Sequence, residues 1–176
     1  MSDSIKTQRS LALKAMHNPT HKFEHLYRLI CQQEWIQRAL ALVRSHTGAR
    51  TAGIDGATRE TDDPPEAYIA LIREIQQALR EKRFRPVPVR RVHLPKANGK
   101  TRPLGIATIK DRVVQLLSKM VLEPSWESDF LNCSNGFRPG RKTMDGMAAL
   151  DSYSNNQSQH FGVIEGGIKM HDRRHL

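Results

Sequence analysis

The sequence predicts an α+β fold, with helices leading into a β-hairpin and then a further, buried helix. Three observations carry this reading. Tyr68, Leu71, Ile72, Ile75 and Leu79 recur at i, i+3, i+4, i+7 and i+11, the stripe of an amphipathic helix. An Asn98-Gly99 pair separates the β-branched, basic run at 89–94 from the apolar run at 104–106, which is a strong hairpin signal. Val113, Val114, Leu116, Leu117, Met120 and Val121 are apolar on two faces of one helix, so that helix should be buried.

The elements follow in order. Residues 1–18 are polar and basic, with no firm periodicity beyond Leu11 to Met16, and are expected to form a flexible arm. Asn18-Pro19-Thr20 looks like a helix start, followed by Phe23, Leu26, Tyr27 and Ile30 at helical spacing. Trp35, Ile36, Ala39, Leu40 and Val43 continue the pattern until Gly48. Residues 44–65 are rich in Gly, Thr, Asp and Pro and form a loop that includes Gly53-Ile54-Asp55-Gly56. Pro64 and Pro65 suit the first turn of the Tyr68 helix, because a first-turn N–H has no partner to lose. That helix should end near Arg83, ahead of Pro86 and Pro88.

In the hairpin, Asn98 and Gly99 are both expected at positive φ, and Pro95 and Pro103 should lie at a sheet edge because they cannot donate to a ladder. Thr108-Ile109-Lys110-Asp111 is similar to a capping box with Asp in place of Glu. Pro124 should stop the buried helix. A loop over 131–142, a short helix near 143–150 and a strand at 161–164 complete the reading. Trp35 and Trp126 read as core anchors, and Cys31 as a buried small hydrophobe.

Composition narrows the function. At 176 residues the chain is one domain or part of one, on a prior of about 150 residues per domain. Lys plus Arg total 28 against 18 Asp plus Glu, a net charge of +10, which points to a polyanionic partner such as nucleic acid. No apolar run approaches the ~18 residues of a membrane span, and residues 1–14 show no signal-like apolar region. The expected location is therefore cytoplasmic, with no membrane partner. Two cysteines suit a reducing compartment, and zinc-ligand pairs are absent. His17, His21 and His25 share a helical spacing, but Pro19 interrupts it and no cysteine or carboxylate completes a metal set; His171 and His175 repeat the spacing near the end. Asp62 and Asp63 read as helix-capping charges.

The densest charge lies at 83–112, where Arg83, Arg85, Arg90, Arg91, Lys96, Lys100, Arg102, Lys110 and Arg112 face Asp111 alone. Strand alternation puts Arg91 and His93 on one face and Arg90, Val92 and Leu94 on the other. Lys96, Lys100 and Arg102 gather at the turn. Ammonium groups attract phosphate as point charges and a guanidinium grips two oxygens, so this set suits a triphosphate or a nucleic-acid backbone. The alternative is a solvated edge strand charged against aggregation. A long run almost free of acids favours binding. Lys110 and Arg112, at a helix start, either reach nucleic acid or are screened by Asp111.

The run RRVHLPKANGKTRPLGIATIKDRVVQ at 90–115 resembles the fingers of bacterial group II intron-encoded reverse transcriptases, the reverse transcriptase/maturase proteins. The likeness continues through VLEPSWESDFLNCSNGFRPGR at 121–141, and GARTAGIDGAT at 48–58 is similar to the family's N-terminal extension. It spans roughly residues 24–169, with Ala107 where the family usually has proline and Cys133 where it often has serine. The resemblance implies a helical N-terminal extension at 19–85, fingers and the start of an incomplete palm at 86–169, and a non-matching tail at 170–176. It implies that Lys96 and Arg102 contact a nucleotide's triphosphate and that Ile106 packs near the templating base. Arg90, Arg91, Lys100, Lys110, Arg112, Arg138 and Arg141 are the expected RNA contacts. GFRPGR at 136–141 would join fingers to palm and support the template.

The implied activity of the intact family is RNA-directed DNA polymerisation and intron RNA splicing. Its partners are intron and template RNA and dNTP, and its cofactor is magnesium. This sequence contains no Tyr-X-Asp-Asp, and Gly167 stands where the family's VIEGDIKG-like stretch has its aspartate. The expectation is a truncated fragment without a metal of its own and without polymerase activity. Its helix at 113–122 is then expected to expose an apolar patch that missing palm strands would have covered. A stand-alone basic RNA-binding module and a retron-type reverse transcriptase fragment are the alternatives.

Overall fold

The computed structural model describes residues 3–18, 20–60 and 64–156, which form an α+β chain of two compact units, Met1–Asp129 and Phe130–Leu176. The residues expected to form a strand at 161–164 lie outside the described set, as do Pro19, Asp62, Asp63, Gly167, His171 and His175.

The first unit is built on apolar periodicity. Helix α1 is Asp3–His17, α2 is Leu26–Ile30, α3 is Gln33–Ser45, α4 is Pro65–Arg80 and α5 is Ile109–Asp129. Trp35, Ile36, Ala39 and Leu40 of α3, Leu71, Ile72, Ile75 and Leu79 of α4, and Val113, Leu117, Met120 and Val121 of α5 share one core. Ile36, Leu40, Val113 and Leu117 are wholly buried. Between α3 and α4 a short 3-10 turn, Thr47–Arg50, opens the glycine-rich loop.

Several expectations are corrected, each for a physical reason. The supposed flexible arm at 1–18 is helix α1, packed on α5. Its signal is weak because it docks through polar groups: the Ser4 N–H donates to Glu34 Oε1 at 3.0 Å, and Arg38 Nη1 donates to Gln8 Oε1 at 2.6 Å. No helix starts at Asn18. The Asn18 side chain instead accepts from the Thr20 N–H at 3.2 Å and hydroxyl at 2.8 Å, which turns the chain, and α2 begins only after His25. Helix α4 stops at Arg80 rather than near Arg83. The Arg83 N–H donates to the Ala78 carbonyl and the Lys82 N–H to the Leu79 carbonyl, with Lys82 at φ 55, a Schellman ending reached before the prolines.

Pro124 does not end α5, which runs on to Asp129. A proline inside a helix deprives the carbonyl four residues earlier of its donor. Here that carbonyl belongs to Met120, and Gln8 Nε2 of α1 donates to it at 2.7 Å. The same docking removes the expected exposed patch, because α1, α2 and α3 cover the two apolar faces of α5. Trp126 is no core anchor and is 56% exposed. At about 100° per residue it lies half a turn away from the buried Leu117, nine residues earlier.

The hairpin pairs β1, Arg90–Pro95, with β2, Thr101–Ile106, in antiparallel register from Arg90 opposite Ile106 to Pro95 opposite Thr101. Its loop differs from the expected two-residue turn. The Gly99 N–H donates to Lys96 O, the Lys96 N–H donates to Lys100 O at 2.7 Å, and only Gly99, at φ +74, has positive φ. This is a three-residue loop with glycine at the left-handed position, and Asn98 serves by accepting the Lys100 N–H on its side chain. In the second unit the helix begins at Thr143 as expected but extends to Asn156, as α6.

At the start of α5, the Asp111 N–H donates to Thr108 Oγ1 at 3.1 Å and the Thr108 hydroxyl donates to Asp111 Oδ2 at 2.8 Å, both residues being buried. The shorter aspartate thus takes the cap's hydroxyl where a glutamate would reach the cap's backbone.

Two stability outcomes are expected, both read from denaturant midpoints at unchanged m-value. Thr108→Ala should cost about 1–3 kcal/mol, because it removes the cap and leaves a buried carboxylate without its donor. Gln8→Ala should cost about 1–3 kcal/mol in the natural chain but at least ~1 kcal/mol less in a Pro124→Ala background, where the residue-124 N–H restores a donor to Met120.

Candidate nucleic-acid interface

No acidic residue occurs between Glu81 and Asp111, so the hairpin and its flanks carry one sign of charge. Register places Arg90, Val92, Leu94, Arg102, Leu104 and Ile106 on one face and Arg91, His93, Pro95, Thr101, Pro103 and Gly105 on the other. Val92 and Leu94 are half-buried while Arg91 and His93 are exposed, matching the expected alternation. Lys96 and Lys100 close the loop opposite each other, and Arg102 follows within the ladder opposite Leu94. At ~3.4 Å per residue, Arg90 and Arg102 stand roughly 14 Å apart along the hairpin.

The nine expected contact cations divide into two groups. Arg90, Arg91, Lys96, Lys100 and Arg102 are exposed, and among the described residues none of them is held in an ion pair or side-chain hydrogen bond. The other four are tied into the fold. Lys110 Nζ lies 2.5 Å from Glu74 Oε1 on α4. The screening expected from Asp111 is therefore supplied by Glu74, because Asp111 is committed to the Thr108 cap. Arg112 donates from Nε to Ala107 O at 2.9 Å, from Nη1 to Gly48 O at 2.7 Å and from Nη2 to Thr51 O at 2.8 Å.

In the second unit, Arg138 donates to the carbonyls of Leu131 and Ser134, each at 2.9 Å, and lies 5.0 Å from the centre of the Phe130 ring. Arg141 reaches the Asn132 carbonyl and the Asn135 side chain. The GFRPGR arginines thus hold their own loop closed, and the loop's Phe137, at φ 58, is fully exposed.

A groove of about 420 Å³ lies beside the hairpin base. One wall is Gly48 and Thr51, the other runs from Leu104 to Ala107, and Arg112 and Gln115 complete it. Ile106, the residue expected near a templating base, is in this lining. Gly48, Thr51 and Gln115 lie within the runs at 48–58 and 90–115 that resemble the family, but the sequence assigns none of them a role at this site. Close packing explains one glycine: a Cβ at Gly53 would stand 2.9 Å from both Thr108 Cα and N.

Among the described residues no group of three His, Cys, Asp or Glu side chains is gathered so that it could hold a metal ion. His17 Nδ1 lies on the Leu13 carbonyl at 2.7 Å, and the His21 ring packs edge-on against Phe23, so the three spaced histidines are not gathered. Cys31 is half-buried and burial raises its thiol above the ordinary value, partly offset by Arg80, which suits a packing role. No helix of the described residues is long and apolar enough to cross a membrane.

No protein-family model matches the chain. The chain is 38% identical over 164 residues to protein YkfC of Escherichia coli (strain K12), covering 92% of the chain and 42% of that protein. It is 32% identical over 175 residues to the group II intron-encoded protein LtrA of Lactococcus lactis subsp. cremoris, covering 96% of the chain and 27% of LtrA. It is 35% identical over 127 residues to a 91 kDa protein in the cob intron of Schizosaccharomyces pombe, covering 72% of the chain and 15% of that protein. The chain thus spans less than half the length of these relatives. With a free cationic hairpin at its centre and similarity along nearly all of its length, the chain is a relative of the group II intron-encoded reverse transcriptase/maturase proteins.

Proposed function

We propose that this chain is an RNA-binding portion of a group II intron reverse transcriptase/maturase, whose hairpin grasps the phosphates of intron or template RNA. The observation that carries the reading is the set of five exposed, unpaired cations on one acid-free hairpin. Lys96 and Lys100 at the loop act as point charges, and Arg102 offers a bidentate fork beside them. Arg90 and Arg91 extend the positive surface toward the hairpin base. In a complete polymerase site the same tip would take a triphosphate, with Lys96 and Arg102 on its oxygens and Ile106 against the paired base. The name borne by LtrA supports an intron context.

Nucleotidyl transfer needs carboxylates that hold two divalent ions, one activating the attacking hydroxyl and one stabilising the leaving group. The sequence has no Tyr-X-Asp-Asp and has Gly167 at the position of the family's aspartate. The chain by itself therefore binds without catalysing.

Binding to a structured RNA should show a linear fall of log K with log salt. Lys96→Ala and Arg102→Ala should each reduce that slope by about 1. Arg141→Gln, in contrast, should leave it unchanged. Equal slopes for all three variants and the natural chain would place the RNA elsewhere. Incubation with a primed RNA template, Mg²⁺ and dNTPs should give no extension above a mock preparation; templated extension would refute the catalytic part of the reading.

A further inference from the structure

We propose that Arg112 is a positioning residue that latches the glycine-rich loop onto the hairpin base, so that the hairpin cations are presented on a rigid platform. The proposal rests on the RNA-binding reading of the hairpin and adds to it a device that contacts no RNA.

Arg112 sits in the first turn of α5, directly after the cap formed by Thr108 and Asp111. Each of its three nitrogens donates to a different carbonyl. Ala107 lies where β2 passes into α5, while Gly48 and Thr51 belong to the 3-10 turn and its exit. One planar guanidinium therefore joins two backbone segments some 60 residues apart in sequence, at separations of 61 and 64 residues from Arg112 itself. A lysine cannot reproduce this, because its ammonium is a single centre without the fixed fork.

A second contact secures the same junction by shape. Gly53 lies so close to Thr108 that an added Cβ would fall 2.9 Å from its backbone N and Cα and 3.2 Å from the Ala107 carbonyl carbon. The loop is also bonded within itself, with the Thr51 N–H donating to Gly48 O at 3.1 Å and the Arg59 N–H to Ala49 O at 3.0 Å. The walls of the groove beside the hairpin are the two segments that Arg112 ties together. Polar and steric contacts thus converge on the base of β2. That base is the hairpin's support, since the strands otherwise form an isolated two-stranded sheet, an arrangement that is marginal without further packing.

The geometry separates two roles for one charge. If Arg112 were a phosphate ligand, Arg112→Lys would keep most of the affinity, and Arg112→Gln would lose affinity together with about one unit of salt slope. As a latch, both variants should weaken RNA binding alike, by roughly three- to tenfold, the size expected when a contact surface must be ordered on binding, with the slope unchanged. Gly53→Ala leaves every cation in place and displaces the loop from the same junction, so it should reproduce the same loss.

The test uses the whole 176-residue chain and its three variants, with a structured RNA as probe. Hydrogen exchange is followed in parallel at the Thr51 and Arg59 amides and in the core of α3 and α5. The expected result is faster exchange at Thr51 and Arg59 in Arg112→Lys, Arg112→Gln and Gly53→Ala, with core protection kept and the binding pattern just described. Natural-level affinity in Arg112→Lys beside a lowered slope in Arg112→Gln would make Arg112 a direct ligand and overturn the proposal. Unchanged exchange at Thr51 and Arg59 would also overturn it. Should Arg112→Gln fail to fold, Arg112→Lys and Gly53→Ala still decide. Should the natural chain bind no RNA, the RNA reading fails, while the exchange measurement still judges the latch.

Discussion

Helix α5 crosses a proline without breaking, and the larger unit is arranged around the carbonyl which that proline orphans. Met120 O has no donor from residue 124, and an unpaired backbone group in a packed region costs about as much as a lost hydrogen bond. Gln8 supplies the donor from α1, and Arg38 of α3 holds the far end of the same carboxamide. One amide thereby ties three helices together at a polar point on an otherwise apolar core. The apolar residues that α5 buries, Ile109, Val113, Leu117, Met120 and Val121, all precede the proline, and α1, α2 and α3 pack over the helix. Its opposite end carries the cap and the arginine that meet the hairpin base.

The cations of this chain are sorted by geometry rather than by count. Arginines that lie near turns and helix starts find carbonyl oxygens, and their forks spend themselves on holding backbone: Arg112 in the first unit, Arg138 and Arg141 in the second. The cations on the hairpin have no such neighbours, since a two-stranded ladder uses its carbonyls within itself or points them to water. They stay exposed, and an acid-free stretch leaves their field uncancelled. A net charge of +10 therefore overstates the surface open to a polyanion on the arginine side and understates how concentrated it is at one loop.

Much of this was legible in advance where a single periodicity governs a segment. The stripe of α4 and the alternation of β1 lie where their spacing puts them, because burial on one face is decided locally. Thr108 and Asp111 cap as their spacing implies, although the shorter side chain changes which atom it reaches. The failures are linked. The proline rule put a stop at Pro124 and the missing palm strands implied an apolar patch on α5; the docking of α1 overturns both, through the Gln8 donor to Met120 O and its packing on α5. Helix α1 buries only Ser4 and Ala15 fully, and it docks by hydrogen bonds to residues some 30 and 112 positions away. No hydrophobic pattern records such partners. At the candidate site the cationic cluster was readable from composition along the chain, but the division between exposed arginines and those bonded to backbone was not, since it depends on which carbonyls lie nearby.

The amino-acid sequence alone determined the α+β class, the amphipathic helices, the hairpin with its left-handed glycine, the concentration of positive charge and the family likeness, because each is a short-range pattern written in neighbouring residues. Tertiary structure decided that the first helix docks, that a proline is tolerated, that Trp126 faces outward and that Arg112 holds two distant segments. Those outcomes turn on satisfying particular buried donors and acceptors, and the partners that satisfy them are brought together only when the chain has folded.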